Sequence, residues 1–448
     1  MRYTASGVAV QAFDDGAPAD SSVSDRKDLS GLLRVKRRTA LATLGVLGLG
    51  GWWAARRHWP DDAWRNRCAG VPLPPHLREH PLLRAAWNGI APERVRDMHV
   101  HLIGNGLGGH GTYVNPAMRG GLNPLKRAQF AFYLNAACVT DDAGAEDQYA
   151  ANLARMADDL PRGTKLMLFA FDWFCDESGE PDPARSTLHV PNAYARQVAA
   201  RRPDRFEWVA SIHPYRLDAI ERLQAAIDGG ARAIKWLPPA MGIDPASAQC
   251  DAFYELLAAS GLPLISHAGD EHAVDAGDLQ ALGNPLRLRR ALDRGVRVIV
   301  AHCGSQGVGE DIDRFRGGGR LANFELFARL MEEPNYVGRV FGDISAMPQI
   351  NRFDPWLMRI LEREDWDGRL VNGSDFPLPG VAPLIIVRRL VNAGLLAAEH
   401  AGVLTDLRAY NPILFDFVLK RALVWKGRGF PARTFESAPL FARDPASA

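Results

Sequence analysis

The sequence predicts an α/β protein that folds as a (β/α)8 TIM barrel, preceded by a hydrophobic export or anchor segment. From residue 95 onward, short β-branched or aromatic runs alternate with helical stretches. Such alternation is typical of βαβ units with a parallel sheet, and eight units favour closure into a barrel. A basic stretch followed by a short apolar run near residue 40 indicates the amino-terminal segment.

Composition limits the possible functions. The chain has 448 residues, of which 47% are hydrophobic and 23% charged, and its formal net charge is +1. These are ordinary values for a globular protein, and they exclude a strongly basic nucleic-acid binder. The five cysteines are odd in number and form no CxxC pair. We therefore expect small buried apolar side chains rather than a disulfide framework.

The amino-terminal region is predicted to lie outside the catalytic domain. Residues 1–35 are rich in Asp, Ser, Gly and Ala, which predicts a disordered tail. Residues 36–55 place the pair Arg37-Arg38 before an apolar run and resemble a twin-arginine signal. This pattern predicts an exported protein, either periplasmic or anchored to the membrane and facing the periplasm. The alternative is a cytoplasmic protein in which this run is an amphipathic helix packed on the barrel. In either case, residues 56–94 are predicted to form a lead-in segment before the barrel.

The barrel is predicted to span residues 95–425, with a tail at 426–448. The strand-like runs have alternating or continuous apolar residues and end in polar ones. In chain order they are Val95–Leu102, Lys165–Asp172, Phe206–His213, Ala233–Leu237, Pro263–His267, Val296–His302, Val337–Ile344 and Arg369–Asp375.

Helices are predicted between and around these strands. Three of them end at glycine, which tolerates the positive φ of a helix C-terminus: Leu217–Asp228, Ala246–Ser260 and Pro285–Asp293. Further helices are expected at Asn123–Ala137, Glu146–Leu160, Pro383–Glu399 and Pro412–Leu423.

Candidate metal ligands lie at the carboxyl ends of the predicted strands. His99 and His101 are two apart on the first strand, so their side chains point the same way. His267, His302 and Asp375 end the fifth, sixth and eighth strands, and all strands of a barrel open on one face. Imidazoles with one carboxylate suit Zn²⁺, and also Fe, Mn or Co. Taken singly, each residue has a structural alternative, such as a hydrogen-bonded histidine pair or a helix-capping aspartate.

The combination resembles a known family. The DxHxH motif at residues 97–101, His267, His302 and the GSDxP motif at residues 373–377 resemble the amidohydrolase superfamily. The resemblance is to the amidohydrolase-2 branch, which includes enzymes like aminocarboxymuconate-semialdehyde decarboxylase. It implies one metal ion held by His99, His101, His267 and Asp375, with His302 free to act on the substrate.

Lys235 leaves the number of ions open. It lies on the predicted fourth strand, where two-metal members of the superfamily carry a carboxylated, bridging lysine. If Lys235 were so modified, His267 and His302 would hold a second ion; otherwise it is an ordinary lysine that binds substrate or pairs with Asp375.

The expected activity is that of a metal-dependent hydrolase. A metal-activated water would attack an amide, ester or lactone of a small, carboxylate-bearing substrate, with Asp375 and His302 as catalytic residues. The substrate-binding candidates follow the second to fourth strands: Trp173, His213, Arg216 and Trp236. The alternatives are a decarboxylase on the same site and a non-catalytic metal-binding protein. Nothing in the sequence indicates a nucleic-acid partner or fixes the oligomeric state.

Overall fold

The computed structural model describes residues 65–120, 123–314 and 319–442. The predicted tail at residues 1–35 and the predicted signal or anchor at residues 36–55 lie outside these ranges. Within them, no helix has the length and apolar character needed to cross a membrane.

Eight parallel strands form the centre of the fold. They are β1 (Arg96–His101), β2 (Lys165–Phe169), β3 (Phe206–Val209), β4 (Ile234–Trp236), β5 (Leu264–His267), β6 (Val298–Ala301), β7 (Val340–Asp343) and β8 (Leu370–Val371). Each strand pairs with the next in chain order within two groups, β1 to β3 and β4 to β8. The predicted strands are thus present, and most are two to four residues shorter than expected.

Backbone hydrogen bonds join the two groups into a closed barrel. The Lys235 N–H donates to the Ala210 carbonyl over 2.7 Å and links β3 to β4. On the other side, the Asp375 N–H donates to the His99 carbonyl over 2.8 Å, and the His101 N–H donates to the Phe376 carbonyl over 2.9 Å. The seam between β8 and β1 is therefore closed, and the predicted α/β barrel is confirmed.

Helices surround this barrel. In chain order they are α1 (Pro75–Arg78), α2 (Pro81–Ala86), α3 (Pro124–Ala136), α4 (Ala145–Asp158), α5 (Asn192–Arg201), α6 (Ala219–Asp228), α7 (Pro238–Met241), α8 (Asp251–Ser260), α9 (Arg289–Asp293), α10 (Asn323–Glu332), α11 (Met358–Glu362), α12 (Val387–Asn392), α13 (His400–Tyr410), α14 (Pro412–Ala422) and α15 (Ala432–Phe435). The helix predicted at residues 383–399 is reduced to α12, because residues 378–384 form tight 3₁₀ turns around two prolines.

The core has two layers. One fills the barrel and includes Met98, Met167 and Ile265, while the other lies between the strands and the helices. The predicted C-terminal tail contributes to the first layer: Phe441 is 3% exposed and packs with the barrel interior. The Arg297 guanidinium donates to the Leu440 carbonyl over 3.0 Å, just before β6 begins. Residues 438–441 therefore close the amino-terminal end of the barrel, opposite the end where the strands finish.

One cysteine pair departs from the expectation. Cys68 and Cys138 form a disulfide across a sequence separation of 70, with their Cα atoms 5.4 Å apart. Cys175, Cys250 and Cys303 are buried and free, as predicted. Sequence spacing alone did not indicate the pair, because the fold brings the lead-in segment to the end of α3.

Candidate metal centre

Three of the predicted ligands meet at the carboxyl end of the barrel. The His99 and His101 Nε2 atoms are 3.2 Å apart, and one Asp375 carboxylate oxygen lies 3.3 Å from the first and 3.2 Å from the second. Ligand bonds of about 2.0 to 2.2 Å to one ion place donor atoms about 3.0 to 3.6 Å from each other. The triangle of donor atoms therefore has the dimensions of one face of a metal coordination sphere.

The DxHxH and GSD motifs hold these residues in position. The Asp97 carboxylate accepts from the Ser374 N–H over 2.7 Å, which ties β1 to the segment after β8. A Cβ at Gly373 would lie 2.4 Å from the Cβ of His99, so only glycine lets the two strands approach here. Asp375 itself has φ of 60°, a left-handed conformation that turns its carboxylate toward the histidines.

Asp343, at the end of β7, fixes the orientation of His99. Its carboxylate lies 2.8 Å from His99 Nδ1 and accepts from the Ser345 N–H over 2.7 Å and from the Ser345 hydroxyl. Because a carboxylate only accepts, the shared proton is on His99 Nδ1, and Nε2 keeps its lone pair toward the centre.

The same network orients His302. Its Nδ1 lies 2.9 Å from the Ser345 hydroxyl oxygen and 3.2 Å from the Ser345 carbonyl. Since that hydroxyl donates to Asp343, His302 Nδ1 is the donor and its Nε2 is unprotonated. His302 Nε2 lies 3.9 Å from an Asp375 oxygen. The Asp343 carboxylate thus sets the protonation of both histidines, directly in His99 and through the Ser345 hydroxyl in His302, so that each has an unprotonated Nε2.

His267 lies beside this group with its ring nitrogens unused. The centroids of the His267 and His302 rings are 5.5 Å apart, and neither His267 nitrogen has a hydrogen-bond partner among the described residues. Its Nδ1 is 3.3 Å from the carboxylate of Glu271, which is itself buried. Its donor atoms fall outside the tight clusters of potential ligands formed by His99, His101 and Asp375 and by His99, His302 and Asp343.

Burial keeps the imidazoles neutral. Desolvation lowers the pKa of His99 and of His302 well below the usual histidine range, and it lowers the pKa of His267 to about 4. Positive charge nearby, on Lys235 for His99 and on Arg352 for His302, acts in the same direction. A neutral imidazole with a free lone pair is the form that binds metal ions. Together with the donor triangle and the unused nitrogens of His267, this donor set fits a divalent ion.

Lys235 lies against the same centre. Its Nζ is 3.4 Å from His99 Nε2 and 5.2 Å from the centroid of the Phe169 ring, and its side chain is buried. Desolvation by burial lowers its pKa to about 8, and the negative charges of Asp375, Asp343 and Glu271 oppose this shift. Lys235 is therefore placed to touch a bound ion or a substrate.

Comparison with known proteins supplies the family. The family model described as amidohydrolase matches residues 97–398, which include every candidate ligand. The chain belongs to the amidohydrolase family. This confirms the resemblance drawn from the DxHxH and GSDxP motifs, and the family is metal-dependent.

The solved structures that match this amidohydrolase have low sequence identity to it. An uncharacterised TIM-barrel protein from Bordetella bronchiseptica is 17% identical, covers 67% of this chain and 99% of its own, and has a TM-score of 0.39. A 4-oxalomesaconate hydratase from Rhodopseudomonas palustris is 16% identical over 70% and 95% of the two chains, with a TM-score of 0.35. A 5-carboxyvanillate decarboxylase from Novosphingobium aromaticivorans with bound manganese is 13% identical over 72% and 96%, with a TM-score of 0.39. No curated protein matches the chain.

A cavity of about 400 Å³ adjoins the candidate metal centre of the amidohydrolase. All the predicted ligands line it, together with Lys235 and His302. Its walls are mostly apolar and aromatic, with a few polar groups; the apolar ones include Phe132, Tyr133, Phe171, Leu188, Val190 and Leu237, and the polar ones Gln129, Glu271, Gln306, Gln349 and Arg352. A mostly apolar cleft with few polar groups is typical of a small-molecule site.

Two predicted substrate-binding residues of the barrel lie elsewhere. Trp236 is fully buried between the barrel and α8, where it contacts Phe253 and its indole N–H donates to the Ile212 carbonyl over 2.8 Å. Because Lys235 faces the barrel interior, its neighbour on the strand must face the helices. His213 is also fully buried, and its Nε2 lies 2.9 Å from the Met241 carbonyl. Both predictions are corrected: these side chains do not line the cavity.

The other two candidates are engaged in loop contacts. Trp173 stacks on His189 with the ring centroids 4.1 Å apart, and it is not part of the cavity wall. The Arg216 guanidinium donates to the Asp218 carboxylate over 3.0 Å. The Arg216 side chain is not part of the cavity wall either. The cationic side chain that does reach the cavity, besides Lys235, is Arg352.

Sequence reasoning missed Asp343, Ser345 and Arg352. Asp343 is the penultimate residue of the predicted strand Val337–Ile344, so its position near the carboxyl end of the barrel was available as a signal. Ser345 follows two residues later. Arg352 lies in the connection after β7, and no local pattern indicates that its side chain turns back toward the barrel.

Proposed function

We propose that this amidohydrolase is a metal-dependent hydrolase that cleaves an amide, ester or lactone in a small substrate bearing a carboxylate. The single observation that carries the proposal is the triangle of His99 Nε2, His101 Nε2 and an Asp375 oxygen, 3.2 to 3.3 Å apart at the base of the cavity. We propose one ion, with Zn²⁺ favoured over Mn²⁺ by the imidazole-rich donor set.

Three residues would hold the ion, and His267 is a further candidate ligand. His99, His101 and Asp375 supply the donor triangle. The His267 ring lies 5.5 Å from the His302 ring, and its nitrogens have no hydrogen-bond partner among the described residues. When bound, a divalent ion acts as a Lewis acid, lowers the pKa of water toward about 7 and polarises a carbonyl group.

The chain's own residues would move the proton. The free Asp375 oxygen faces His302 Nε2 at 3.9 Å, so water held between them has two acceptors. We propose that Asp375 takes the proton of the attacking water and later returns it to the leaving group. His302 Nε2 is unprotonated at first, since Nδ1 is the donor to Ser345. It therefore serves better as a hydrogen-bond acceptor for water than as a donor to an oxyanion.

Replacement of Asp375 by asparagine tests this role. We expect Asp375→Asn to lower kcat by about 10²-fold or more, because an amide cannot accept the water proton. Steady-state hydrolysis of amide, ester and lactone panels is measured together with the metal content of each sample. The chemically matched control is Asp365→Asn, on the exposed Asp365 that pairs with Arg363. Unchanged kcat in a metal-loaded Asp375→Asn sample would remove Asp375 from the proton transfer.

Product analysis separates the reaction classes. A hydrolase incorporates ¹⁸O from labelled water into its product, whereas a decarboxylase on the same residues releases CO₂ and does not. Release of CO₂ without ¹⁸O incorporation would replace the hydrolase by the carbon–carbon lyase. Metal binding without turnover of any panel member would favour the non-catalytic protein.

We also propose that the protein acts outside the cytoplasm. The supporting observation is the Cys68–Cys138 disulfide, since disulfides persist in oxidising compartments and are rare in the cytosol. Cell fractionation of the expressed full chain, with mass-spectrometric thiol counting, tests the proposal. We expect periplasmic or membrane-attached protein with three free thiols. Protein found only in the cytoplasm with all cysteines reduced would contradict it.

A further inference from the structure

A cationic group in the cavity wall has no ion-pair partner among the residues that the structure describes. Arg352 lines the cavity and is 7% exposed, and its guanidinium forms one hydrogen bond, from Nη1 to the Ser305 hydroxyl over 2.8 Å. Its Nε has no partner, and no described carboxylate oxygen lies within 4.0 Å of it. A buried guanidinium stays charged at all ordinary pH values and has five donors to satisfy, so such incomplete pairing is costly.

A second unpartnered donor lies one turn away. Gln349 is 4% exposed, lines the same cavity, and its Nε2 has no hydrogen-bond partner among the described residues. The backbone between them forms a tight turn, in which the Arg352 N–H donates to the Gln349 carbonyl over 2.9 Å. The turn therefore brings an amide donor and a guanidinium to one part of the cavity wall.

Apart from the candidate ligands and a few polar groups, which include Gln129, Glu271 and Gln306, the cavity wall is apolar. Phe132, Phe171, Leu188, Val190 and Leu237 face the cavity and offer no charge. A ligand whose anionic group binds Arg352 would thus have a hydrophobic body that lies against these apolar side chains.

We propose that Arg352 and Gln349 form the subsite for the substrate carboxylate, so that the substrate is an acid with an apolar or aromatic body. The carboxylate accepts from the guanidinium and from the Gln349 amide, while the bond to be cleaved lies at the metal centre. This assignment rests on the proposed function for its orientation, but the binding of the acid itself does not need turnover. It also replaces Arg216, which the sequence suggested, with a side chain that reaches the cavity.

Ligand binding tests the subsite directly. The probes are 3-phenylpropanoate and 3-phenylpropan-1-ol, which share one body and differ in charge, and their Kd values are measured by ligand-observed NMR or calorimetry with the metal-loaded full chain. We expect the wild type to bind the acid about 10- to 100-fold more tightly than the alcohol. In Arg352→Gln this ratio should fall to near 1, and Gln349→Leu should reduce it partly.

Matched variants control for charge and folding. Arg359→Gln removes a guanidinium that is half-exposed and paired with Glu325, so it should keep the wild-type ratio. Arg352→Lys keeps the charge without the planar pair of donors, and we expect it to retain part of the preference. If Arg352→Gln does not fold, as judged by circular dichroism, the Arg352→Lys and Gln349→Leu ratios decide the question.

Metal-stripped wild type distinguishes this subsite from the ion itself. A carboxylate bound at Arg352 keeps its preference over the alcohol after the metal is removed by a chelator, whereas one bound to the ion loses it. An unchanged ratio in Arg352→Gln, or a preference that disappears with the metal, would overturn the proposal. Lack of turnover in the substrate panels would count against the proposed function alone, since the binding ratio is independent of it.

Discussion

At the scale of single residues, the candidate centre depends on side chains that contact its histidines at Nδ1, outside the donor triangle. Asp343 and Ser345 set the proton positions of both His99 and His302. Asp375 and His302 both have left-handed backbone conformations, with φ of 60° and 55°. Each such non-glycine residue costs about 1 to 3 kcal/mol. The surrounding hydrogen bonds and packing must offset this strain, which is concentrated where the chemistry is proposed.

Asp343→Asn is predicted to weaken metal binding. An asparagine amide can donate as well as accept, so His99 Nδ1 loses its fixed acceptor and Nε2 loses its fixed lone pair. We expect a 10- to 100-fold drop in affinity, the usual effect of removing an outer partner of a metal-binding histidine. Competition with a chromophoric chelator measures it, and wild-type affinity would show that Asp343 has no such role.

At the scale of elements, helix α14 supports the end of β8. The Lys420 ammonium is fully buried and donates to the Gly373 carbonyl over 2.7 Å and to the Asp416 carboxylate over 2.6 Å. Gly373 lies two residues before Asp375, so this contact fixes the backbone that presents the Asp375 carboxylate. The support is local to one helix and one strand end.

Lys420→Met is predicted to destabilise the fold by about 3 to 5 kcal/mol, because it leaves Asp416 buried without its partner. Burial already raises the pKa of Asp416 to about 7, and Lys420 opposes that rise. A folded-state pKa above the unfolded one makes stability fall with rising pH until the folded-state pKa is passed. In the wild type this fall ends near pH 7, whereas in the variant, whose Asp416 pKa is higher still, it continues above pH 7. Urea unfolding at pH 6 and pH 8.5 measures this, with a larger loss expected at pH 8.5.

The double variant Asp416→Leu/Lys420→Met serves as the control for this prediction. It removes both charges, so it should be less destabilised than Lys420→Met at pH 8.5. Equal losses in the two variants, or a loss independent of pH, would show that the unpaired carboxylate is not the cause.

At the scale of the whole molecule, the two ends of the barrel have different structural roles. The carboxyl end holds the candidate site, and the amino end is closed by the chain's last described residues. Phe441 packs with Met98 and Ile265 inside the barrel. The disulfide ties the lead-in segment to the end of α3, a helix whose Gln129, Phe132 and Tyr133 line the cavity.

Phe441→Ala is predicted to lower the free energy of unfolding by about 3 to 5 kcal/mol through the cavity it leaves. Metal content and kcat of the folded fraction should not change, because Phe441 and the candidate site lie at opposite ends of the barrel. Leu125→Ala is the control, since Leu125 is 82% exposed and its truncation should change stability by less than about 0.5 kcal/mol. Stability equal to the wild type in Phe441→Ala would contradict a structural role of this tail.

The double variant Cys68→Ser/Cys138→Ser is predicted to lose about 2 to 4 kcal/mol, because a loop spanning a separation of 70 residues is no longer closed in the unfolded chain. Thermal melts with and without reductant measure the loss. Reductant should lower the Tm of the wild type and leave that of the variant unchanged; a wild-type Tm insensitive to complete reduction would argue against the bond.

The sequence predicted the barrel and the group at its active end because both follow from strand periodicity. His99 and His101 are two apart, and His302 and Asp375 follow strands whose carboxyl ends must share one face. The cavity wall was predicted poorly, because it depends on loops whose direction no periodicity fixes. Arg216 and Arg352 are alike in sequence context, yet one binds Asp218 and the other turns into the cavity. Trp236 was the avoidable error, since its neighbour Lys235 already faced inward.

The seam between β8 and β1 has a consequence for biosynthesis. The donor triangle takes two atoms from the first strand and one from the segment after the last, and the Asp375 N–H to His99 carbonyl bond joins them. A nascent chain from which Asp375 has not yet emerged has only two of these three donor atoms. The proposed ion would therefore find all three donors only after nearly the whole polypeptide has left the ribosome and the seam between β8 and β1 has closed.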